Sequence, residues 1–255
     1  AAPEKQAELI KQMQAAQARG AVSAQRVDSV ARVLGDASLG TTDEKTAQSL
    51  LEGIAPGHPA SWVSLAQLLY DFPELGDVDT MMKYLDNGRA ADQPRAELLL
   101  GKLYYEGKMV PADAKIAEEH FKKAVGREVA ADYYLGQIYR RGYLGKVYSQ
   151  KALDHLLTAA RNGQNSADFA IAQLFSQGKG IKPDPRNAYV FSQLAKARNT
   201  PQATELAQTL EAQLPPAQLA EAQRLLKQEQ AVRGASSQNT LELHALEEED
   251  GEESL

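Results

Sequence analysis

Small residues return along this chain every 35 or 36 positions, and that period restricts the fold more than any other feature. One series runs Val30-Ala31, Leu65-Ala66, Leu100-Gly101, Leu135-Gly136, Ile171-Ala172 and Leu206-Ala207; a second runs Ala47, Met82, Ala117, Ala152 and Ala188; Gly107, Gly142 and Gly178 keep the same register. A period near 35 marks stacked helix pairs, each of which needs a neighbour to bury its apolar face. In such an array, function lies along a surface.

The helices can be read copy by copy. Between Arg95 and Val125, residues Ala96, Leu100 and Tyr104 share one helix face at i, i+4, i+8 spacing. Gly107 stops that helix, because glycine accepts the left-handed backbone that ends helices. Asp113 caps the next one, whose inner face is Ala117, Phe121 and Ala124. The following copy repeats this with Leu135, Gly136, Tyr139, Gly142, Ala152, Leu156 and Ala159, and the one after with Ala167, Ala172, Phe175, Gly178, Ala188, Phe191 and Ala195. An all-α array is expected, with repeats near 24–58, 59–91, 95–126, 130–163 and 166–198, closing helices at 201–230 and a flexible acidic tail at 234–255. Pro3 to Arg19 reads as a helix whose pairing partner is expected upstream, as in a piece of a longer array.

The loop inside the repeat narrows the family. Gly178-Lys179-Gly180-Ile181-Lys182-Pro183-Asp184, followed by Ala188, has Pro185 at the first helical position, where a missing N–H costs nothing. Gly107 to Asp113 keeps the first glycine, the apolar residue and the aspartate, whereas Gly142 to Tyr148 lacks the aspartate. This pattern resembles the Sel1-like repeat, a tetratricopeptide relative. The resemblance implies a right-handed α-solenoid of Sel1-like helix pairs over 1–233, and Leu214-Pro215-Pro216-Ala217-Gln218 is similar to the helix that closes such arrays. The Ala-rich, cysteine-free repeats, the closing helix and the acidic end are together similar to the scaffold lipoproteins of alginate secretion. That implies a non-enzymatic scaffold at the periplasmic face of the outer membrane, anchored by an acyl chain on an upstream cysteine. It also implies the alginate acetyltransferase AlgX and the outer-membrane porin AlgE as partners, with alginate itself a further candidate.

Composition removes some functions. The net charge of −6 comes from the end of the chain, where Glu247, Glu248, Glu249, Asp250, Glu252 and Glu253 cluster; without them 28 acidic residues face 28 basic ones. A neutral body lacks the basic face that bulk nucleic-acid binding requires. The absence of cysteine excludes disulfides, thiolate zinc sites and cysteine nucleophiles within this segment. No run approaches 18 consecutive apolar residues, the span of a membrane helix. His120 and His155 stand 35 apart, a spacing that would stack them as a metal site requires, yet the same repeat position holds Leu50, Leu85 and Phe191, so a packing role is expected. His58 and His244 have no carboxylate at ligand spacing, and no serine or lysine nucleophile stands beside a base. Gly178-x-Gly180 follows a helix rather than a strand, so its glycines read as a cap and not a phosphate-binding turn. No enzyme, cofactor or metal is expected.

If the first helix of each pair lines a concave face, that face presents Leu98, Lys102 and Tyr105, then Tyr133, Gln137 and Arg140, then Phe169, Gln173 and Ser176, with Arg141 at its border. The expected partner-binding residues are Lys102, Tyr105, Tyr133, Gln137, Arg140, Arg141 and Gln173. Interleaved basic and aromatic groups suit an acidic partner. Alternatives to an envelope scaffold are a cytosolic adaptor of the tetratricopeptide type that captures an acidic peptide, and direct binding of an acidic polysaccharide, with Tyr105, Tyr133 and Arg140 at uronate carboxylates. The plainer reading of any one of these residues is a solvated face.

Overall fold

The computed structural model describes residues 3–40, 42–198 and 200–252, with side chains as far as Ala235. Among the described residues all regular structure is helical. The chain divides into two compact units, Ala1–Ala124 and Val125–Leu255. The first contains α1 (Pro3–Ala18), α2 (Ala24–Leu34), α3 (Glu44–Ile54), α4 (Ala60–Asp71), α5 (Val78–Ala90), α6 (Pro94–Glu106) and α7 (Ala114–Ala124). The second contains α8 (Val129–Arg141), α9 (Ser149–Arg161), α10 (Ala167–Gln177), α11 (Pro185–Lys196), α12 (Pro201–Gln213) and α13 (Pro216–Glu252). Within each unit, successive helices pack as pairs, α2 on α3, α4 on α5 and α6 on α7, then α8 on α9 and α10 on α11.

Local chemistry sets the helix ends. Aspartates accept from free backbone N–H groups three residues on: Asp77 from Thr80 at 2.8 Å, Asp113 from Ile116 at 3.1 Å and Asp184 from Asn187 at 3.1 Å. Gly107, Gly142 and Gly178 end α6, α8 and α10 in left-handed backbone, with φ of 68°, 70° and 65°. A backbone bond then fixes each loop: Asp113 N–H to Tyr104 O, Tyr148 N–H to Tyr139 O and Asp184 N–H to Phe175 O, at 2.9, 2.9 and 3.0 Å. The middle loop has lost its aspartate cap but keeps this bond, because the bond needs no particular side chain.

The periodic small residues are where backbones come close. A Cβ on Gly101 would lie 2.5 Å from ring carbons of Phe121, and one on Gly136 would lie 2.6 Å from Leu156. Small on the first helix therefore meets large on the second, and Phe121, Leu156, Ala117 and Ala152 are all fully buried.

In the second unit, α12 and α13 cover α11. Leu210, Leu214 and Ala222 pack on Ala188 and Tyr189. Arg233 of α13 donates to both oxygens of the fully buried Asp168 at 2.7 and 3.1 Å, and Arg161 of α9 donates to Glu229 at 3.0 and 3.2 Å. The α13 backbone runs past Gly234, where the sequence pattern ends, with no proline after Pro216 to stop it. The side chains beyond Ala235 lie outside the described residues, and with them the expected acidic tail at 234–255 and its cluster of Leu241, Leu243 and Leu246.

Candidate functional site

Four of the expected partner-binding residues form one hydrogen-bonded chain in the second unit. Gln137 donates to the Tyr133 hydroxyl at 3.0 Å and accepts from Arg140 at 3.0 Å, and the other Arg140 nitrogen donates to the Gln173 amide oxygen. The spacing explains this: 133, 137 and 140 lie one turn apart on α8, and α10 brings Gln173 alongside. Gln137 does not face open solvent as the sequence pattern suggested; it is only 6% exposed, because Tyr133 and Arg140 cover it from either side. Phe169 is half-buried, Ser176 is exposed, and the exposed Arg141 reaches the Tyr143 hydroxyl at 3.5 Å.

Beside this chain lies a cleft of about 360 Å³, lined by Arg140, Arg141, Val147, Ser149, Leu174, Gln177, Lys179 and Gly180. Ser149 begins α9, and its hydroxyl donates to the Lys179 carbonyl at 2.7 Å, which holds the loop after α10 against it. A Cβ on Gly180 would lie 2.6 Å from that hydroxyl, and its φ of +73° is left-handed, so glycine is required twice over. Lys179 escaped the sequence reading because its loop was read for its glycines. The available signal was its position two residues after the end of the helix that carries Gln173.

Lys102 and Tyr105 belong to the first unit. Lys102 lies 5.8 Å from the Tyr70 ring centroid and lines a cleft of about 340 Å³ together with Arg32, Asp36, Asp71 and Arg95. That cleft carries both signs of charge, so the basic character expected from Lys102 is balanced there by carboxylates. Tyr105 packs edge-on against Phe121 at 6.4 Å, which ties it to the core as well as to the surface, and Leu98 is half-buried.

The histidines have structural partners that the sequence reading missed. His120 Nδ1 lies 2.6 Å from Glu97, and the His120 ring stacks on Tyr104 at 6.2 Å; His155 Nδ1 lies 2.7 Å from Asp132, with Tyr139 at 5.6 Å. Burial pushes the Glu97 carboxyl up, but the bonds from His120 and Arg89 outweigh it and hold the group below its ordinary 4.5. In the third copy the histidine is Phe191, stacked on Phe175 at 6.1 Å, and Arg233 replaces it as the partner of Asp168. Among the described residues no group of three or more His, Asp and Glu side chains is gathered to hold a metal ion.

His58, Ser61 and Asp28 come together, with the Asp28 carboxylate bonded to Ser61 and not to His58. Ser61 Oγ donates to Asp28 at 2.8 Å, so the His58 nitrogen 2.8 Å away donates to Ser61 rather than accepting its proton. With Ser61 fully buried and its proton committed to Asp28, this is a structural bridge and not a base-activated nucleophile. His244 lies outside the described side chains.

Comparison with known proteins follows the same divisions. Residues 94–125, 129–164 and 165–199 match the Sel1 repeat, and residues 1–55 match the AlgK tetratricopeptide repeat domain. The chain is 71% identical over 99% of its length to the alginate biosynthesis protein AlgK of Pseudomonas syringae pv. tomato, of which it covers 54%. This is a Sel1-like repeat chain that resembles AlgK. AlgK of Pseudomonas aeruginosa is 58% identical over 94% of the Sel1-like chain, which covers 50% of that relative. The chain thus spans about half the length of the curated relatives it matches. A solved Sel1 repeat protein of Oxalobacter formigenes superposes with a TM-score of 0.62 over 81% of this chain and 88% of its own, at 19% identity, which supports the fold. No described helix of the Sel1-like chain is long and apolar enough to cross a membrane.

Proposed function

We propose that this chain is part of a non-enzymatic scaffold in alginate biosynthesis and secretion, which holds periplasmic and outer-membrane components together at the outer membrane. The observation that carries this reading is the 71% identity, over nearly the whole chain, to a protein named for alginate biosynthesis. The architecture agrees with it. Sel1-like pairs present helix faces within each unit, and in the second unit the buried Asp132 and Asp168 carboxylates have structural partners. The partners proposed are the alginate acetyltransferase AlgX and the outer-membrane porin AlgE. Deleting the gene in an alginate-producing parent strain is expected to stop uronic acid from reaching the medium, and the tagged full-length protein is expected to capture AlgX and AlgE from envelope fractions. Normal export in the deletion strain, or capture of neither partner, would overturn the scaffold reading.

A further inference from the structure

We propose that the cleft between α8, the 142–149 loop and the loop after α10 takes an acidic peptide segment carrying an aliphatic side chain beside its carboxylate. The inference rests on the scaffold reading and names what this unit recognises. Three basic residues, Arg140, Arg141 and Lys179, line the cleft, and among the described residues no acidic one does. Cations gathered in a concave site focus a positive potential, and a guanidinium fork matches a carboxylate with two parallel bonds.

The site is also ordered before a ligand arrives. The amide oxygens of Gln137 and Gln173 hold the Arg140 guanidinium, and Ser149 holds the Lys179 loop through its carbonyl. Side chains already fixed lose less entropy on binding. The apolar part of the lining is aliphatic, from Val147 and Leu174, with Val147 49% exposed. Among the described residues no aromatic ring lines the cleft, which removes the surface on which a sugar face stacks and leaves one that suits a leucine or valine. At about 360 Å³ it sits at the small end of ligand sites, with room for a few side chains rather than a folded element.

The test is fluorescence anisotropy on the full chain with a labelled hexapeptide of alternating glutamate and leucine. Its glutamine–leucine counterpart and oligomannuronate serve as comparison ligands. The acidic peptide is expected to bind, with an affinity that falls as salt rises, and the glutamine peptide to bind about tenfold or more weaker. Arg141→Glu combined with Lys179→Glu is expected to weaken the acidic peptide about tenfold or more, and Val147→Asp separately to weaken it as well. All three side chains are exposed, so circular dichroism should be unchanged. Equal binding of the two peptides, or unaltered affinity in both variants, would overturn the proposal. Oligomannuronate binding without peptide binding would also overturn it, in favour of a polysaccharide site. No binding of any probe would overturn it too, while gene deletion and AlgX or AlgE capture would still judge the scaffold reading by itself.

Discussion

At the residue scale, the repeat carries a three-part unit of tyrosine, histidine and carboxylate that holds the two helices of a pair together. Tyr104, His120 and Glu97 form it in the first unit, and Tyr139, His155 and Asp132 in the second. Glu97→Gln removes the charge that faces both His120 and Arg89 and is expected to cost roughly 1–3 kcal/mol at neutral pH. The direction of its pH dependence follows from linkage. Glu97 is held below its ordinary 4.5, so its contribution is present above the unfolded value and is lost as pH falls through the folded one. Urea unfolding midpoints of wild type and variant should therefore converge as pH drops from about 5 to about 3. A gap that stays constant across that range would mean the carboxylate charge is not what the pair uses.

At the element scale, close helix approach depends on residues without bulk. Ala152 is fully buried, so Ala152→Leu is expected to destabilise by roughly 1–3 kcal/mol through overpacking. Gly101→Ala should act in the same direction, since its new Cβ meets the buried Phe121 ring, whereas Gly57→Ala meets nothing within 4 Å and should change the thermal midpoint little. Equal midpoints for all three variants would refute the packing register. These positions were legible in the sequence because close approach recurs with the repeat, and so were the aspartate caps and glycine stops, whose causes lie within a few residues. The partners of the histidines were not legible. Glu97 and His120 are 23 residues apart, as are Asp132 and His155, and only the packed pair shows which first-helix side chain lies opposite. The candidate surface divides the same way. The α8 residues Tyr133, Gln137 and Arg140 follow from helical spacing, while Lys179 and Ser149 enter the cleft through a contact between a loop and the start of another helix.

At the scale of the whole molecule, a stack of pairs needs an end, and in the second unit the end is built by substitution within the repeating unit itself. Where a further helix pair would supply a neighbour, α13 supplies Arg233. Its guanidinium lies 5.8 Å from the centroid of the Phe191 ring that stands in for a histidine, and it bonds the Asp168 carboxylate that ring cannot reach. Burial works against charge at both ends of this clamp, yet Glu229 is held below its ordinary range by Arg161 and Arg233, and Arg233 is raised by Asp168 and Glu229. Arg233→Ala strands a fully buried carboxylate, which typically costs about 3–5 kcal/mol. Because each unit is internally packed, the loss should stay local: hydrogen exchange should speed up across α10 to α13 and remain unchanged in residues 1–124. Adding Asp168→Asn to that variant removes the stranded charge and should recover part of the loss, since the two positions are in direct contact and their effects do not add. Unchanged exchange in α10 to α13 would show that the Arg161–Glu229 pair and the apolar contacts with Ala188 and Tyr189 hold the closing helix without Arg233. Equal acceleration in both units would show that the chain unfolds as one body.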